Sequence, residues 1–380
     1  MDLETMMGSL GVGEWILLAL FISSFIVQST RYLSVYLRLP MYKPPNKKDG
    51  GKGVSVLICA RNEADNLEQF LPAVLTQEFP EFEVVVVNDC STDHTEEVLV
   101  RLTARYKQLR FTTIQTDASF RRGKKLALAV GLKSANYEHV LLTDADCYPA
   151  SSHWLKNMVS HLDKEKEIVL GYGRYEKRKG MLNALIRYET VFTAIHYLSY
   201  ALKGKPYMGI GRNLGYKKAL FFSKRGFSNH YHIASGDDDL FVNQHANRKN
   251  TAIEIEAESH TVSTPETTLS SWIRQKQRHL TAGSYYNSWS RLRIGTEMAS
   301  RLLLYATFIT LCFNPVWRWV VLILFGIFQV IRTTVFNLGM RRLNEKQLLL
   351  PSFLFDPVLP LLLGLIWFTN IFTTKHQSWR

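Results

Sequence analysis

The chain has 380 residues, 46% of them hydrophobic, and carries a formal net charge of +13 at pH 7. This length accommodates one large domain or two medium ones, and the hydrophobic fraction is ordinary for a globular protein with some membrane segments. The positive charge suits nucleic acid, anionic lipid or an anionic substrate, but the sequence contains neither a zinc-finger spacing nor a basic-aromatic RNA-binding motif.

The first apolar segment, residues 15–35, is long enough to cross a bilayer and is not followed by a small-residue cleavage site. It predicts an uncleaved transmembrane anchor over residues 1–38. Basic residues lie at the end of the segment and directly after it: Arg31, Arg38, Lys43, Lys47 and Lys48. Because cytoplasmic loops carry such an excess of Lys and Arg, a membrane is favoured over nucleic acid as the partner. Residues 39–52, rich in Pro, Lys and Gly, are predicted to form a linker.

Strand-like and helix-like patterns alternate along the next hundred residues. The strand patterns cover residues 54–59, 83–87, 111–114 and 140–142, and the helical patterns cover residues 65–75, 95–106 and 124–133. Such alternation predicts an α/β domain, residues 53–290, with a mostly parallel sheet whose ligands bind at the carboxyl ends of the strands. Asn62, Asp89 and Asp144 fall at these ends.

The remaining chain contains one amphipathic and three apolar segments. Residues 181–202 have the spacing of a helix that lies either in the core or on the bilayer, and both interpretations stay open. Apolar residues concentrate at 302–316, 319–335 and 348–372, which predicts two or three further spans within residues 291–380. The four cysteines are scattered without a CxxC pair, as in a reduced, cytosol-facing domain.

The tripeptide Asp144-Ala145-Asp146 follows an apolar strand and can present two carboxylates to a hard divalent cation, Mg²⁺ or Mn²⁺. A short Asp pair after a strand also occurs in ordinary turns and helix caps. Two further polar motifs lie downstream in the sequence and add to the first.

The first of these, residues 237–239, is a run of three aspartates whose mutual repulsion raises at least one pKa unless cations or hydrogen bonds compensate. The second lies on a predicted helix, residues 269–280, where Gln275, Arg278 and His279 share one face. A guanidinium there can clamp a diphosphate through paired hydrogen bonds.

In this order the motifs resemble those of membrane-bound family 2 glycosyltransferases, the group that includes cellulose, hyaluronan and ceramide-glucose synthesising enzymes. The resemblance covers about residues 53–285. Residues 56–63 are similar to the opening strand and Asn-Glu turn, residues 87–93 to the DDGSTD element, residues 144–146 to the DxD motif and residues 275–279 to the QxxRW motif. The resemblance implies a GT-A, Rossmann-like fold flanked by transmembrane helices.

The resemblance also implies roles for individual residues. Asp144 and Asp146 would hold Mg²⁺ or Mn²⁺, with His260 as an additional ligand or as a buried structural histidine. The nucleotide-sugar site would contain Asn62, Glu63, Asp89, Lys124, Asp144, Gln275, Arg278 and His279. His279 stands where the family has tryptophan, which argues against a close equivalent of cellulose synthase.

The catalytic carboxylates are expected at Asp237, Asp238 and Asp239, one of which would be the general base for the acceptor hydroxyl. The base is Asp237 if Asp239-Leu240 closes the family's acidic motif, and Asp238 if the alignment shifts by one position.

The predicted function is inverting, metal-dependent transfer of a sugar from a nucleoside-diphosphate sugar to a lipid-linked or glycan hydroxyl. The enzyme is expected in a membrane of the bacterial inner-membrane type, with its catalytic domain in the cytosol and no nucleic-acid partner. A catalytically inactive membrane scaffold that binds a nucleotide sugar or a partner is the alternative. Three or four spans are few for a polymer channel, so a single transfer is favoured and processivity stays open.

Overall fold

The structure is a computed structural model that describes residues 11–45, 53–115, 123–231, 233 and 235–372. Its strands are β1 Val54–Ala60, β2 Phe82–Asp89, β3 Leu109–Ile114, β4 His139–Leu142, β5 Cys147–Pro149, β6 Ile168–Leu170, β7 Gly173–Tyr175, β8 Leu214–Lys217, β9 Thr251–Ile253 and β10 Thr261–Ser263. Its α-helices are α1 Val12–Arg31, α2 Arg38–Met41, α3 Ala64–Leu75, α4 Thr95–Arg105, α5 Lys124–Ser134, α6 Trp154–Val159, α7 Met181–Leu202, α8 Lys218–Ser223, α9 Asp239–His245, α10 Leu269–Gly283, α11 Ser288–Cys312, α12 Arg318–Arg342 and α13 Leu349–Phe372.

Seven strands form the main sheet in the order β3-β2-β1-β4-β8-β6-β9. Strand β8 runs antiparallel to its neighbours β4 and β6, and the other pairs are parallel. A second sheet of three short strands has the order β5-β10-β7. The prediction of an α/β domain with a mostly parallel sheet is confirmed.

Both faces of the main sheet are covered, which explains the continuous apolar runs of its strands. In β1, Val56 and Ile58 belong to a core that also contains residues of α3, α4 and α6. Leu57 and Cys59 belong to a second core, which includes residues of α5 and α7. Because β1 pairs in parallel with both β2 and β4, the carboxyl ends of these three strands lie at one edge.

The N-terminal helical region extends beyond the predicted anchor into the predicted linker. After α1 the chain continues through a π-helical turn, Tyr32–Tyr36, and then through α2 to Met41. Leu39 is fully buried, and its packing against the core accounts for the additional helical turn. Residues 46–52 of the predicted linker lie outside the described residues, as do residues 1–10.

Helix α7 settles the alternative that the sequence left open at residues 181–202, because most of its side chains are buried inside the protein. Its residues share one hydrophobic core with the main sheet and with α1, α12 and α13. Helix α7 is therefore a core helix that joins the sheet to the apolar helices.

Three helical regions of the described chain are long and apolar enough to cross a membrane: Val12–Met41, Arg318–Arg342 and Leu349–Asn370. A buried polar cluster connects the last of them to its neighbours. Asp356 in α13 accepts hydrogen bonds from Tyr305 (2.6 Å) and Tyr188 (3.1 Å) and lies 3.3 Å from the Arg301 guanidinium. Ionisable groups inside apolar helices need such partners, so the cluster fixes how α13 packs against α7 and α11.

The Gly215→Ala substitution tests the tightness of the main sheet at β8. A Cβ atom there would fall against Leu141 and 2.7 Å from Val169 Cγ1, side chains of the two neighbouring strands. Overpacking of this kind costs about 1–3 kcal/mol of unfolding free energy. We expect a lower Tm for the detergent-purified variant in scanning fluorimetry.

The matched control is Gly283→Ala, because no atom lies within 4 Å of a Cβ built at that position. Its Tm should equal or slightly exceed that of the wild type. Equal Tm values for Gly215→Ala and wild type would contradict the packing described for β8.

Candidate active site

Lys124, the first residue of α5, joins two acidic stretches that are far apart in the sequence. Its Nζ atom lies 2.9 Å from Asp144 Oδ1 and 3.0 Å from Asp237 Oδ2. Burial alone would lower the pKa of Lys124, but these carboxylates outweigh burial and hold its pKa well above the usual value. The ammonium group is therefore a permanent positive charge between the tripeptide at 144–146 and the aspartate run at 237–239.

The two aspartates of the tripeptide differ in acidity. Burial raises the pKa of Asp144, but the charge and hydrogen bond of Lys124 reverse this, and its pKa lies below the usual value. For Asp146, burial and then repulsion by Asp144 raise the pKa above the usual value. The pair therefore has more negative charge than its protein neighbours neutralise, which a cation between the two carboxylates would relieve.

Asp144, Asp146 and Cys147 form a group whose potential metal-binding atoms all lie within 4.8 Å of one another. The Cys147 thiol donates to Asp146 Oδ1 at 3.2 Å and lies 2.8 Å from Ser263 Oγ. Burial first, and then the two aspartates, raise the pKa of this thiol, so it stays protonated. The donors that remain are carboxylate oxygens, which fit a hard cation such as Mg²⁺ or Mn²⁺.

A glycine-rich turn, Gly211–Asn213 in 3₁₀ conformation, closes one side of this cluster. The Gly211 amide donates to Asp238 Oδ2 at 2.5 Å. A Cβ atom at Gly211 would lie 3.2 Å from that carboxylate and 3.3 Å from Lys124 Nζ. Glycine therefore lets the backbone approach both charged groups closely.

Arg212 in the same turn supplies a second positive charge. Its guanidinium lies over the Tyr175 ring, 4.3 Å from the centroid, and donates to the Gly173 carbonyl at 2.9 Å. Its charge favours the ionised forms of both Asp144 and Asp146. The sequence analysis did not single out this arginine, because no local pattern indicates that its guanidinium reaches Tyr175.

The three aspartates of the acidic run have different partners. Asp238 accepts hydrogen bonds from the backbone amides of Gly211 and Asp239, while burial and then repulsion by Asp237 raise its pKa to about 6. Asp239 accepts from the Leu240 amide (2.7 Å) and from the Tyr286 hydroxyl (2.7 Å). Burial and then repulsion by Asp238 raise the pKa of Asp239 to about 8. Asp237 is the member that faces Lys124.

The Asn-Glu turn at the end of β1 lies beside the tripeptide. Asn62 has φ of 56° and its Oδ1 atom accepts from the Thr92 amide at 2.8 Å, which ties this turn to the loop after β2. Burial raises the pKa of Glu63 to about 7, and repulsion by Asp146 and Asp144 adds to the effect. Asp89, the last residue of β2, is fully buried.

Helix α10 is held against α7 by a buried ion pair between Lys276 Nζ and Glu189 Oε2, 2.6 Å apart, and by the fully buried Trp272. Arg278 is half-buried, and its charge contributes to the low pKa of Asp144. Gln275 is half-buried and His279 exposed. No described contact connects Gln275 to the acidic cluster. Desolvation by the surrounding protein first, and then nearby cations that include Arg212 and Lys124, hold the pKa of His279 well below its usual value.

His260 is fully buried and lies edge-on against the Tyr172 ring, with the centroids 5.0 Å apart. Its Nε2 atom lies 3.1 Å from the Ile255 carbonyl oxygen. Burial lowers its pKa to about 4, so the ring is neutral. In the described chain, His260 is not a member of the group formed by Asp144, Asp146 and Cys147, and its metal-binding role stays a prediction.

Parts of the chain match known proteins. Residues 55–222 match the family model "Glycosyl transferase family 2". The poly-beta-1,6-N-acetyl-D-glucosamine synthase of Staphylococcus epidermidis is 35% identical over 95 residues, 25% of this chain and 22% of the synthase. The synthase of the same name from Staphylococcus aureus strain MSSA476 is 31% identical over 116 residues, 30% of this chain and 27% of that relative. The matched parts thus span about a quarter of these curated relatives.

Among solved structures, the mannosyltransferase PcManGT from Pyrobaculum calidifontis, determined in complex with GDP-Man and Mn²⁺, is similar in fold. The superposition has a TM-score of 0.58 and 18% sequence identity, and it covers 95% of this chain and 99% of the mannosyltransferase. The similarity extends over the sheet domain and the helices that follow it. Residues 55–222 thus match the model of family 2 glycosyltransferases, and the fold of the chain is similar to that of this mannosyltransferase.

Proposed function

We propose that this chain transfers a sugar, with inversion, from a nucleoside-diphosphate sugar to a hydroxyl group of a lipid-linked or glycan acceptor at the cytosolic face of a membrane. The single observation that carries the proposal is the contact of Lys124 with both Asp144 and Asp237. It unites the two acidic motifs that such a transfer requires, one for the donor diphosphate and one for the acceptor hydroxyl.

The donor end of the site is the group around the tripeptide. Asp144 and Asp146 would hold Mg²⁺ or Mn²⁺, and the bound cation would neutralise charge on the departing diphosphate. Arg212 and Arg278, whose charges act on Asp144, would bind phosphate oxygens. Asn62, Glu63 and Asp89, at the ends of the first two strands, would contact the nucleoside.

The acceptor end is the aspartate run, and the contacts favour Asp237 as the general base. Both oxygens of Asp238 accept from backbone amides, and both oxygens of Asp239 are bonded to Leu240 and Tyr286. The described contact of Asp237 is instead with a side chain, the Lys124 ammonium group. A general base must reorient toward the incoming hydroxyl. A carboxylate that accepts no described hydrogen bond from a backbone amide loses the fewest hydrogen bonds when it reorients.

A panel of sugar nucleotides and acceptors identifies the sugar donor and the acceptor. Purified protein in detergent micelles is incubated with one radiolabelled sugar nucleotide at a time, together with lipid and oligosaccharide acceptors and either Mg²⁺ or Mn²⁺. The panel includes UDP-N-acetylglucosamine, because the curated relatives are named as synthases of a poly-N-acetylglucosamine. It also includes GDP-mannose, the donor bound in the mannosyltransferase.

In this assay we expect Asp146→Asn to lower the transfer rate by at least about 100-fold, because the substitution removes a charged cation ligand. EDTA should abolish wild-type turnover, and added Mg²⁺ or Mn²⁺ should restore it. The matched control is Glu165→Gln, an exposed carboxylate in another loop, whose rate should stay at the wild-type value. Unchanged turnover in Asp146→Asn would refute the assignment.

The base is tested by Asp237→Asn, for which we expect a fall in kcat of about 10²–10⁴-fold with little change in KM for the donor. Asp239→Asn should lose less than about 10-fold, because Asp239 is already bonded to Tyr286. Both variants are assayed at equal amounts of folded protein. An Asp237→Asn enzyme with a wild-type kcat would contradict the role of Asp237.

The raised pKa of Asp239 also predicts how stability depends on pH. Its folded pKa of about 8 exceeds the usual value of 3.8, so the folded state binds the proton more tightly than the unfolded state. The contribution of Asp239 to stability is complete below about pH 4 and is lost as pH rises through about 8. We expect the Tm of the wild type to fall more steeply between pH 5 and pH 9 than the Tm of Asp239→Asn.

Scanning fluorimetry at pH 5, 7 and 9 measures these slopes. Asp65→Asn, which replaces an exposed carboxylate in α3, should retain the wild-type slope. Parallel pH profiles for the wild type and Asp239→Asn would show that Asp239 does not titrate as described.

A further inference from the structure

A cavity of about 550 Å³ lies between the three-stranded sheet and the loop that joins α12 to α13. Four cationic side chains line it: Arg174, Lys177, Arg187 and Lys346. The lining also contains two carboxylates, Glu176 and Glu345. The cavity is therefore polar and carries an excess of positive charge.

The cavity reaches the face of the small sheet opposite the Cys147 thiol. Tyr148, Val262 and Arg174 stand side by side on three adjacent strands and line the cavity. Cys147 and Ser263 pair with each other one position away, and the Cys147 thiol contacts Asp146. Successive residues of a strand point to opposite faces, so these three lining residues lie on the other face of the sheet from Cys147. Tyr175 also lines the cavity, and its ring stacks on the Arg212 guanidinium, so the cavity adjoins the candidate active site at this residue.

The two carboxylates of the cavity are already engaged. Glu345 is buried, pairs with the Arg187 guanidinium and accepts a hydrogen bond from the Tyr172 hydroxyl at 3.2 Å. Glu176 pairs with Arg178 at 2.8 Å. Lys177 and Lys346 are exposed at the rim, and no described carboxylate forms an ion pair with either of them.

The arginines have unused hydrogen-bonding capacity. Arg187 is 6% exposed, and its Nε atom has no hydrogen-bond partner among the described residues. The buried Nε atom of Arg174 likewise lacks one within the part of the chain that the structure describes. Buried N–H donors without an acceptor are costly, and guanidinium groups match phosphate oxygens well in geometry and charge.

The position of the loop indicates where the anion comes from. Its ends are the last residues of Arg318–Arg342 and the first of Leu349–Asn370, two of the candidate membrane spans. The loop therefore lies at the level where a span leaves the bilayer. Within it Asn344 and Gln347 have φ of 53° and 66°, left-handed conformations that side chains seldom adopt, and both residues line the cavity.

We propose that this cavity binds the phosphate group of an anionic membrane phospholipid. Arg174 and Arg187 contact the phosphate oxygens from inside the cavity, and Lys177 and Lys346 attract the headgroup at the rim. Basic pockets at the membrane end of neighbouring spans are the usual form of such sites. The inference requires membrane insertion of α12 and α13 but does not depend on the proposed sugar transfer.

The test is a titration of the purified full-length chain in detergent with dioctanoyl-phosphatidylglycerol, with dioctanoyl-phosphatidylcholine in parallel. Isothermal calorimetry gives Kd for each lipid. The wild type should bind phosphatidylglycerol at least about 10-fold more tightly than phosphatidylcholine, since a cationic side chain near an anionic lipid is worth about five-fold in affinity. Lys177→Gln/Lys346→Gln, which changes only exposed side chains, should weaken phosphatidylglycerol binding by about 25-fold.

The matched control is Arg341→Gln, because Arg341 is an exposed cation at the end of α12 that does not line the cavity. Its Kd should stay within about two-fold of the wild type. If Arg341→Gln and the double variant lose the same affinity for phosphatidylglycerol, the lipid is attracted to basic residues in general, and the proposal is overturned. Equal affinity for the two lipids would overturn it as well.

Two further probes, inorganic phosphate and glycerol 3-phosphate, distinguish a lipid headgroup from a soluble anion. Both should bind at least about 10-fold more weakly than phosphatidylglycerol, because they lack acyl chains to follow the spans. If glycerol 3-phosphate binds as tightly as the lipid, the cavity is a site for soluble anions and the assignment to a phospholipid is wrong. These readouts are binding constants, so they stand apart from any failure of the transfer assay.

Discussion

The ion pairs of Lys124 are the constraint on which the site depends. A lysine at the first position of a helix faces the positive end of the helix dipole, and most of this side chain is shielded from water. Such a charge is stable only beside negative groups, and Asp144 and Asp237 provide them. The same two contacts fix the end of β4 relative to the loop before α9. The electrostatic requirement of one buried ammonium group therefore brings together the carboxylates to which the proposed function assigns the chemistry.

Helix α7 holds together the elements around this site, because three successive side chains of the helix each contact a different region of the protein. Glu189 pairs with Lys276 and holds α10, Tyr188 bonds to Asp356 in α13, and Arg187 pairs with Glu345 in the loop between α12 and α13. Replacing one partner of a buried pair leaves the other charge uncompensated, so these contacts resist rearrangement. The sheet domain and the apolar helices consequently share one hydrophobic core.

The elements of the sheet domain could be predicted because their signals are local. Apolar runs and helical spacing located β1, β2, α3, α4 and α5 to within a few residues, since buried strands and amphipathic helices differ in period. The role of Arg212 could not be predicted, because it depends on the stacking of its guanidinium on Tyr175, a residue of a different strand. The different hydrogen-bond partners of the three aspartates at 237–239 could not be predicted from the sequence either. These partners include Tyr286 and the Gly211 amide, which only the folded chain brings to Asp239 and Asp238.

The charge balance of the site bears on the proposed binding of a nucleotide sugar. Lys124, Arg212 and Arg278 act on the tripeptide, but Glu63, Asp144, Asp146, Asp237 and Asp238 outnumber them. Burial first, and then repulsion by neighbouring carboxylates, raise the pKa values of Glu63, Asp146 and Asp238. A diphosphate would add further negative charge to the same small volume, where screening by water is weak. Under the proposed function, a divalent cation that enters with the diphosphate would offset both sets of negative charge, so the crowding of carboxylates and the proposed metal dependence would have one electrostatic origin.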